Sequence, residues 1–333
     1  MPLSNSTSNT HLDSVRIQSG EKKLLNHFTQ LINSNPDKAI SYINAEKLTF
    51  TTLFILRKKL KSTDILQKLS HRNQIALEIT EEILDNEGKI TNLQHSIPKL
   101  IHLLKSTLTW ILETGANDDG LNDDFDKLLD IVAIFLIKVF NELDLLPLIS
   151  NMIFERYKTG RLIHDLLWAF YESKDPDCLL LIGKRLRSDD MKEIELACDI
   201  LWFIPGIDFK YKNDKDYLYY NFINWFEENK LYLCFTGESL HQTSNPIPYK
   251  ISLESKYLCE FISPNSKKIH STLNSNISTK TKAFNNLDTN SKVLLAKFSH
   301  RMRKKNIHWW KDWINKPIDE QLRIARIRKG GIQ

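Results

Sequence analysis

Apolar residues recur every three to four positions along most of the chain, and that period predicts one helix after another. The clearest stretch is 176–204, PDCLLLIGKRLRSDDMKEIELACDILWFI. Asp175 can cap the first free N–H groups, and Pro176 suits the first helical position, where its missing N–H costs nothing. Leu179, Leu180, Ile182, Gly183 and Leu186 form one stripe, followed by Lys184, Arg185 and Arg187 near the negative end of the helix dipole. Ser188-Asp189-Asp190 breaks this helix and caps the next. There Ile194, Ala197, Cys198, Leu201 and Trp202 repeat at the same period until Pro205-Gly206. Neither helix can bury its stripe alone, so the pair must stack on neighbours.

The same reading predicts helices over 21–33, 36–48, 49–61, 63–85 with a break near His71, and 90–113 with a break at Pro98. Further helices are expected over 125–143, 147–157, 160–172 and 214–229. Residues 1–20 lack an apolar run and read as a polar, disordered lead-in. Residues 115–126, GANDDGLNDDFD, form an acidic loop. They fail the calcium-loop register, because a Gly at position 6 would put Gly115 at position 1 and Asp126 at position 12. A solvated loop whose last Asp residues cap the next helix is the expectation. A short apolar run, 231–236, reads as a strand. It is followed by the polar loop 237–250, a helix over 253–262, a Ser/Asn/Thr/Lys-rich linker over 263–290, and basic helices over 291–305 and 317–329.

This pattern predicts an all-α fold of stacked antiparallel helical hairpins with a short β segment and a basic helical C-terminal tail. The expected divisions are 1–20, 21–114, 115–229, 230–262, 263–290 and 291–333. The Leu-rich first helix of the 176–204 pair, the Asp in its turn and Ile194-Glu195-Leu196-Ala197 resemble one HEAT-type repeat of an α-solenoid. That family usually carries a positive residue where Glu195 stands. The resemblance implies a solenoid offering a surface to partners; an irregular helical array is the alternative. HEAT-like alkylpurine DNA glycosylases share such a fold, and no residue here matches their catalytic acid.

Composition sharpens the picture. Ten Gly and ten Pro in 333 residues fall below the average of about 7% and 5% and disfavour a turn-rich β architecture. Four scattered Cys without a C-x-x-C fit reduced thiols in a cytoplasmic protein. The most apolar run, 128–149, holds Asp130, Lys138, Glu142 and Asp144, too many charges for a membrane span of about 20 residues. From Lys292 onward there are twelve Lys and Arg against three acids, a net of +9, while the whole chain is +5 and the remainder therefore −4.

Candidate chemistry is sparse. No phosphate-binding loop, dinucleotide fingerprint, metalloprotease or kinase motif is present, and no cofactor or metal ligand set is legible. Two stretches stand out as binding candidates. One is the polar loop, with Glu238, His241, Gln242 and Asn245, since loops on rigid scaffolds often carry function. The other is the tail, with Arg301, Arg303, Lys304, Lys305, Trp309, Trp310, Trp313, Arg323 and Arg326. Cations interleaved with Trp suit phosphates and stacked bases, an anionic membrane surface, or packing of the tail onto the protein's own acidic body. The expectation is a non-enzymatic interaction or scaffold protein with an unidentified protein partner. Nucleic-acid binding through 292–329 is the alternative, and an enzyme seated at the Glu238–His241 loop is a second.

Overall fold

The computed structural model describes residues 9–85, 101–262 and 275–329. The protein is mostly helical, with seventeen α-helices and one two-stranded sheet among the described residues. The chain forms two compact units, divided after Ser173. Residues on both sides of 115 share the first unit, and the 176–204 pair opens the second.

The first unit holds α1 (His11–Ser19), α2 (Glu21–Ser34), α3 (Pro36–Ile43), α4 (Phe50–Lys61), α5 (His71–Asp85), α6 (Ile101–Gly115), α7 (Asp123–Ile134), α8 (Leu146–Lys158) and α9 (His164–Tyr171). Its core is built on α4, where every residue from Phe50 to Leu56 is buried. The Phe50 ring stacks on Phe125 at 5.8 Å and meets Trp110 edge-on at 5.7 Å, joining α4 to α6 and α7. The break expected near His71 is present: a 3-10 turn over Asp64–Lys68 precedes α5. The helix expected over 36–48 ends at Ile43, because Asn44 leaves it to accept from Ser70 N at 2.7 Å and donate to Lys68 O at 2.9 Å. Of the helix expected over 90–113, the part before Ile101, with Pro98, lies outside the described residues.

Two expectations need correcting here. The lead-in is not disordered throughout: α1 is capped by Thr10, and its Leu12 and Asp13 are buried. Asp13 accepts hydrogen bonds from the Thr49 and Thr52 hydroxyls, both at 2.6 Å, so a carboxylate rather than an apolar run anchors this helix. Residues 1–8 lie outside the description. The acidic loop is not simply solvated either. Arg156, almost fully buried, donates Nε and Nη2 to Asp119 at 2.9 and 2.8 Å and lies 2.8 Å from Asp130. Arg161 reaches Asp119 and Asp126 at 3.2 and 2.9 Å. The cap of α7 is Asn122 rather than an Asp. One buried guanidinium thus faces two carboxylates. Burial, with Asp165 and Asp119 adding and Arg156 opposing, pushes the Asp130 carboxyl up to about 7. Beyond α7 the chain runs into a π-helical turn, Phe135–Val139, in which Phe140 N donates to Phe135 O at 3.1 Å.

The second unit holds α10 (Leu179–Arg185), α11 (Met191–Ile200), α12 (Lys215–Asn229), β1 (Leu233–Phe235), β2 (Tyr249–Ile251), α13 (Leu253–Leu258), α14 (Ser275–Asn285), α15 (Thr289–Lys305), α16 (Ile307–Ile314) and α17 (Ile318–Lys329). Asp175 and Asp190 accept from Asp177 N and Lys192 N at 3.0 and 2.9 Å, as caps should. Gly183 lets α10 lie directly on the Phe222 ring of α12. Trp202 departs from its expected stripe: α11 ends at Ile200, and Trp202, 44% exposed, donates to Pro246 O at 3.2 Å. The predicted strand pairs antiparallel with β2, Leu233 opposite Ile251. The stretch 263–290 is not a linker throughout, because α14 places Phe284 face to face with Tyr257 at 4.4 Å; residues 263–274 lie outside the description.

Candidate functional site

Helix α15 is the hub of the C-terminal part, packing against α13, α16 and α17. Asp288 caps it by accepting from Ser291 N at 3.0 Å. Asn306 then leaves helical geometry and accepts from His308 N and Trp309 N at 3.0 and 3.1 Å, so one residue ends α15 and starts α16. That corner puts Trp309 in the first turn of α16. Gln321 fixes the next corner. Its side chain donates to Lys316 O at 2.8 Å and accepts from the Tyr257 hydroxyl at 2.9 Å, tying α17 to α13.

The three tryptophans divide by role. Trp313 is buried between Tyr257 and Phe298, with ring centres 6.2 and 5.1 Å away. Trp310 is half-buried and donates Nε1 to Ser299 Oγ at 2.7 Å, and Ser299 donates to Tyr257 O at 2.5 Å. Both hold α13, α15 and α16 together, so their partners lie within the second unit. Trp309 is different: its side chain is 55% exposed, with the Arg328 guanidinium over its ring at 4.9 Å.

Along α15, between it and the end of α17, runs a half-open groove of about 1140 Å³. Its bottom is apolar: Val293, Leu294, Phe298 and Met302 of α15, with Ala325 of α17, are buried or half-buried there. Exposed Ile327 and Trp309 stand at its edge. Its cations are Lys297, Arg301, Lys304, Lys305 and Arg328, all exposed, and no acidic side chain lines it among the described residues. The nearest compensation is Glu228 on α12, 3.6 Å from Arg301. That carboxylate also serves buried Lys256 at 3.2 Å. Burial opposes its ionisation, yet Lys256 and Arg301 hold Glu228 below the usual carboxylate range. One carboxylate shared by two cations leaves the groove strongly positive.

Of the tail residues expected at a site, Arg301, Lys304, Lys305 and Trp309 meet in this groove. Arg303 is half-buried; it donates to Cys259 O and lies over the Trp310 ring at 5.1 Å. Arg323 and Arg326 are exposed on α17 and do not line the groove. The polar loop is the connection between β1 and β2, and much of its polarity serves itself. Glu238 accepts from Ile247 N at 3.0 Å and from Lys250 Nζ at 2.7 Å. Gln242 accepts from Ser239 N at 3.2 Å, and Asn245 N donates to Thr243 Oγ1 at 3.4 Å. His241 is exposed. Sequence reasoning did not assign Lys297 or Arg328 to a site. Lys297 was findable, since it lies four residues from both Val293 and Arg301 on one helix face. Arg328 joins only through the fold of α17 onto α15.

Among the described residues no group of three or more His, Cys, Asp or Glu could hold a metal, and no helix is long and apolar enough to cross a membrane. No protein-family model matches the chain, and no curated protein and no solved structure is significantly similar to it.

Proposed function

We propose that this chain is a non-enzymatic interaction protein whose second unit receives a protein partner in the α15–α17 groove. The observation that carries the reading is the combination of an apolar bottom, exposed Ile327 and Trp309 at the edge, and five cations against the single nearby carboxylate of Glu228 beside Arg301 among the described residues. Exposed apolar surface rimmed by charge is what partner sites offer, with burial supplying affinity and charge supplying rate and selectivity. The wider scaffold reading, a HEAT-like stacked array, draws its support from consecutive contacts in the first unit, where α1 packs on α2, α2 on α3, α5 on α6, and α8 on α9.

Nucleic-acid binding is the second reading. The net charge of +9 beyond residue 291 and the exposed Trp309 favour it. The groove lining weighs against it, because of its two described aromatic residues Phe298 is only 9% exposed, leaving Trp309 for a base to stack on. The test is photo-crosslinking of the full chain carrying benzoylphenylalanine at position 327, in cell lysate, with and without Lys304→Glu/Lys305→Glu. Protease-sensitive, nuclease-resistant adducts that vanish on charge reversal are expected. Nuclease-sensitive adducts, or adducts indifferent to the two charges, would overturn the protein-binding reading.

A further inference from the structure

The dimensions and chemistry of the groove narrow what fits it. Its α15 wall runs from Asn290 to Lys305, which at 1.5 Å per residue is a length of about 22 Å, four helical turns. A half-open trough of that length accommodates a helix lying lengthwise with one face sunk and the other in water.

The lining has the same period. Val293, Leu294, Lys297, Phe298, Arg301, Met302 and Lys305 follow one face of α15 at spacings of three and four, so apolar and basic positions form two parallel tracks. A helix laid alongside would answer with an apolar track at i, i+3, i+4 and i+7, flanked by carboxylates. An extended strand would address alternate positions instead. A basic helix would meet five like charges with no acid between them.

We infer that the occupant of this groove is an acidic amphipathic helix, about four turns long, presented by a partner protein. The inference rests on the proposed protein-binding reading and specifies its chemistry. The helix buries an apolar track against Leu294, Met302 and Ile327, and sets its carboxylates against Lys297, Lys304 and Lys305.

The test uses the full chain and a fluorescein-labelled peptide of about sixteen residues, with Leu at i, i+3, i+4 and i+7 and Glu elsewhere. A scrambled isomer of identical composition and an oligothymidylate of similar length serve as competitors. Binding is read by fluorescence anisotropy at about 50 and 200 mM salt. The amphipathic peptide is expected to bind at least about tenfold more tightly than its scrambled isomer. Lys304→Glu/Lys305→Glu is expected to weaken it about tenfold or more, with the weakening smaller at the higher salt. Ile327→Asp, at a side chain 66% exposed in the free protein, removes an apolar contact without touching the core and is expected to weaken binding similarly. Circular dichroism melts confirm that both variants fold. Equal binding of both peptides would reduce the interaction to charge attraction and overturn the inference. Absent peptide binding beside persistent charge-dependent protein crosslinks at position 327 would overturn it while leaving the protein-binding reading standing. Displacement of the peptide by the oligonucleotide at lower concentration would overturn both.

Discussion

Adding one methyl group at Gly183 tests whether the packing of α10 on α12 is as close as it looks. A Cβ there would lie 2.1 Å from Phe222 Cε1 and 2.5 Å from two further atoms of the same ring. An ordinary contact needs about 3.4 Å or more, so the ring or the helix must move by more than 1 Å. Phe222 has no room to give, being fully buried and stacked on fully buried Phe226 at 5.8 Å. Overpacking of this kind costs about 1–3 kcal/mol. Helix propensity works the other way and favours Ala over Gly by about 1 kcal/mol. With a displacement this large the upper end of the overpacking range applies, and Gly183→Ala should destabilise the second unit by about 2 kcal/mol. For a unit of this size that is a fall in Tm of about 4–8 °C. Calorimetry of the full chain measures it directly, and Phe222→Leu in the same background should restore part of the loss by making room. A Tm at or above that of the parent protein would mean propensity wins and the contact is loose.

Three further outcomes follow from the first unit and the hairpin. Arg156→Met leaves buried Asp130 without its cation and Asp119 with Arg161 alone, and should cost about 3–5 kcal/mol by denaturant unfolding; adding Asp130→Asn should recover part of it, and strict additivity would refute the shared-cation arrangement. Asp130 also sets a pH dependence. Its folded pKa of about 7 lies above the ordinary carboxyl value of 3.8, so the stability it contributes is full below about pH 4 and is lost as the pH rises through about 7. The stability of Asp130→Asn relative to the parent should therefore rise between those limits and level off above them, measured by hydrogen exchange of α7 amides, and a flat difference would refute it. Glu238→Ala should speed exchange at the Ile247 amide, whose acceptor it removes, while leaving peptide binding at the groove unchanged; lost binding would instead draw the hairpin into the site.

Much of the helical order was legible because amphipathic period and capping chemistry are local. Asp175-Pro176 marks a helical start as read from sequence, although what it opens is the 3-10 turn Pro176–Cys178 ahead of α10, and the helix expected from 214 begins there, with Asp214 accepting from Tyr217 N at 2.9 Å. What escaped depends on distant partners. Helix α14 carries few apolar residues, and its order comes from Phe284 against Tyr257, a residue on α13. Strand β2 is three residues long behind Pro246-x-Pro248, and it exists through pairing with β1. The acidic loop looked solvated because Arg156 and Arg161 lie 30 or more residues downstream. The same logic divides the groove. The cations on α15 share a helix face and could be read together, whereas Arg328 and Ile327 enter through tertiary folding. Trp310 and Trp313 could not be told from Trp309 by composition, because only the corner at Asn306 decides which ring faces outward.

The π-helical turn at Phe135–Val139 bears on which changes of length the chain can absorb. A π turn is an α-helix carrying one surplus residue in a single turn, so losing one residue there lets the i→i+5 bond revert to i→i+4 while α7 before it keeps its facing. Val139 is the natural residue to lose, being 60% exposed, whereas Leu136 and Ile137 are buried. A deletion in the middle of α7, at Leu129, would instead rotate everything beyond it by about 100° and turn buried positions such as Val132 and Ala133 toward water. Among the helices of the first unit this turn is therefore a place where an insertion or deletion could become fixed without remaking the core around it.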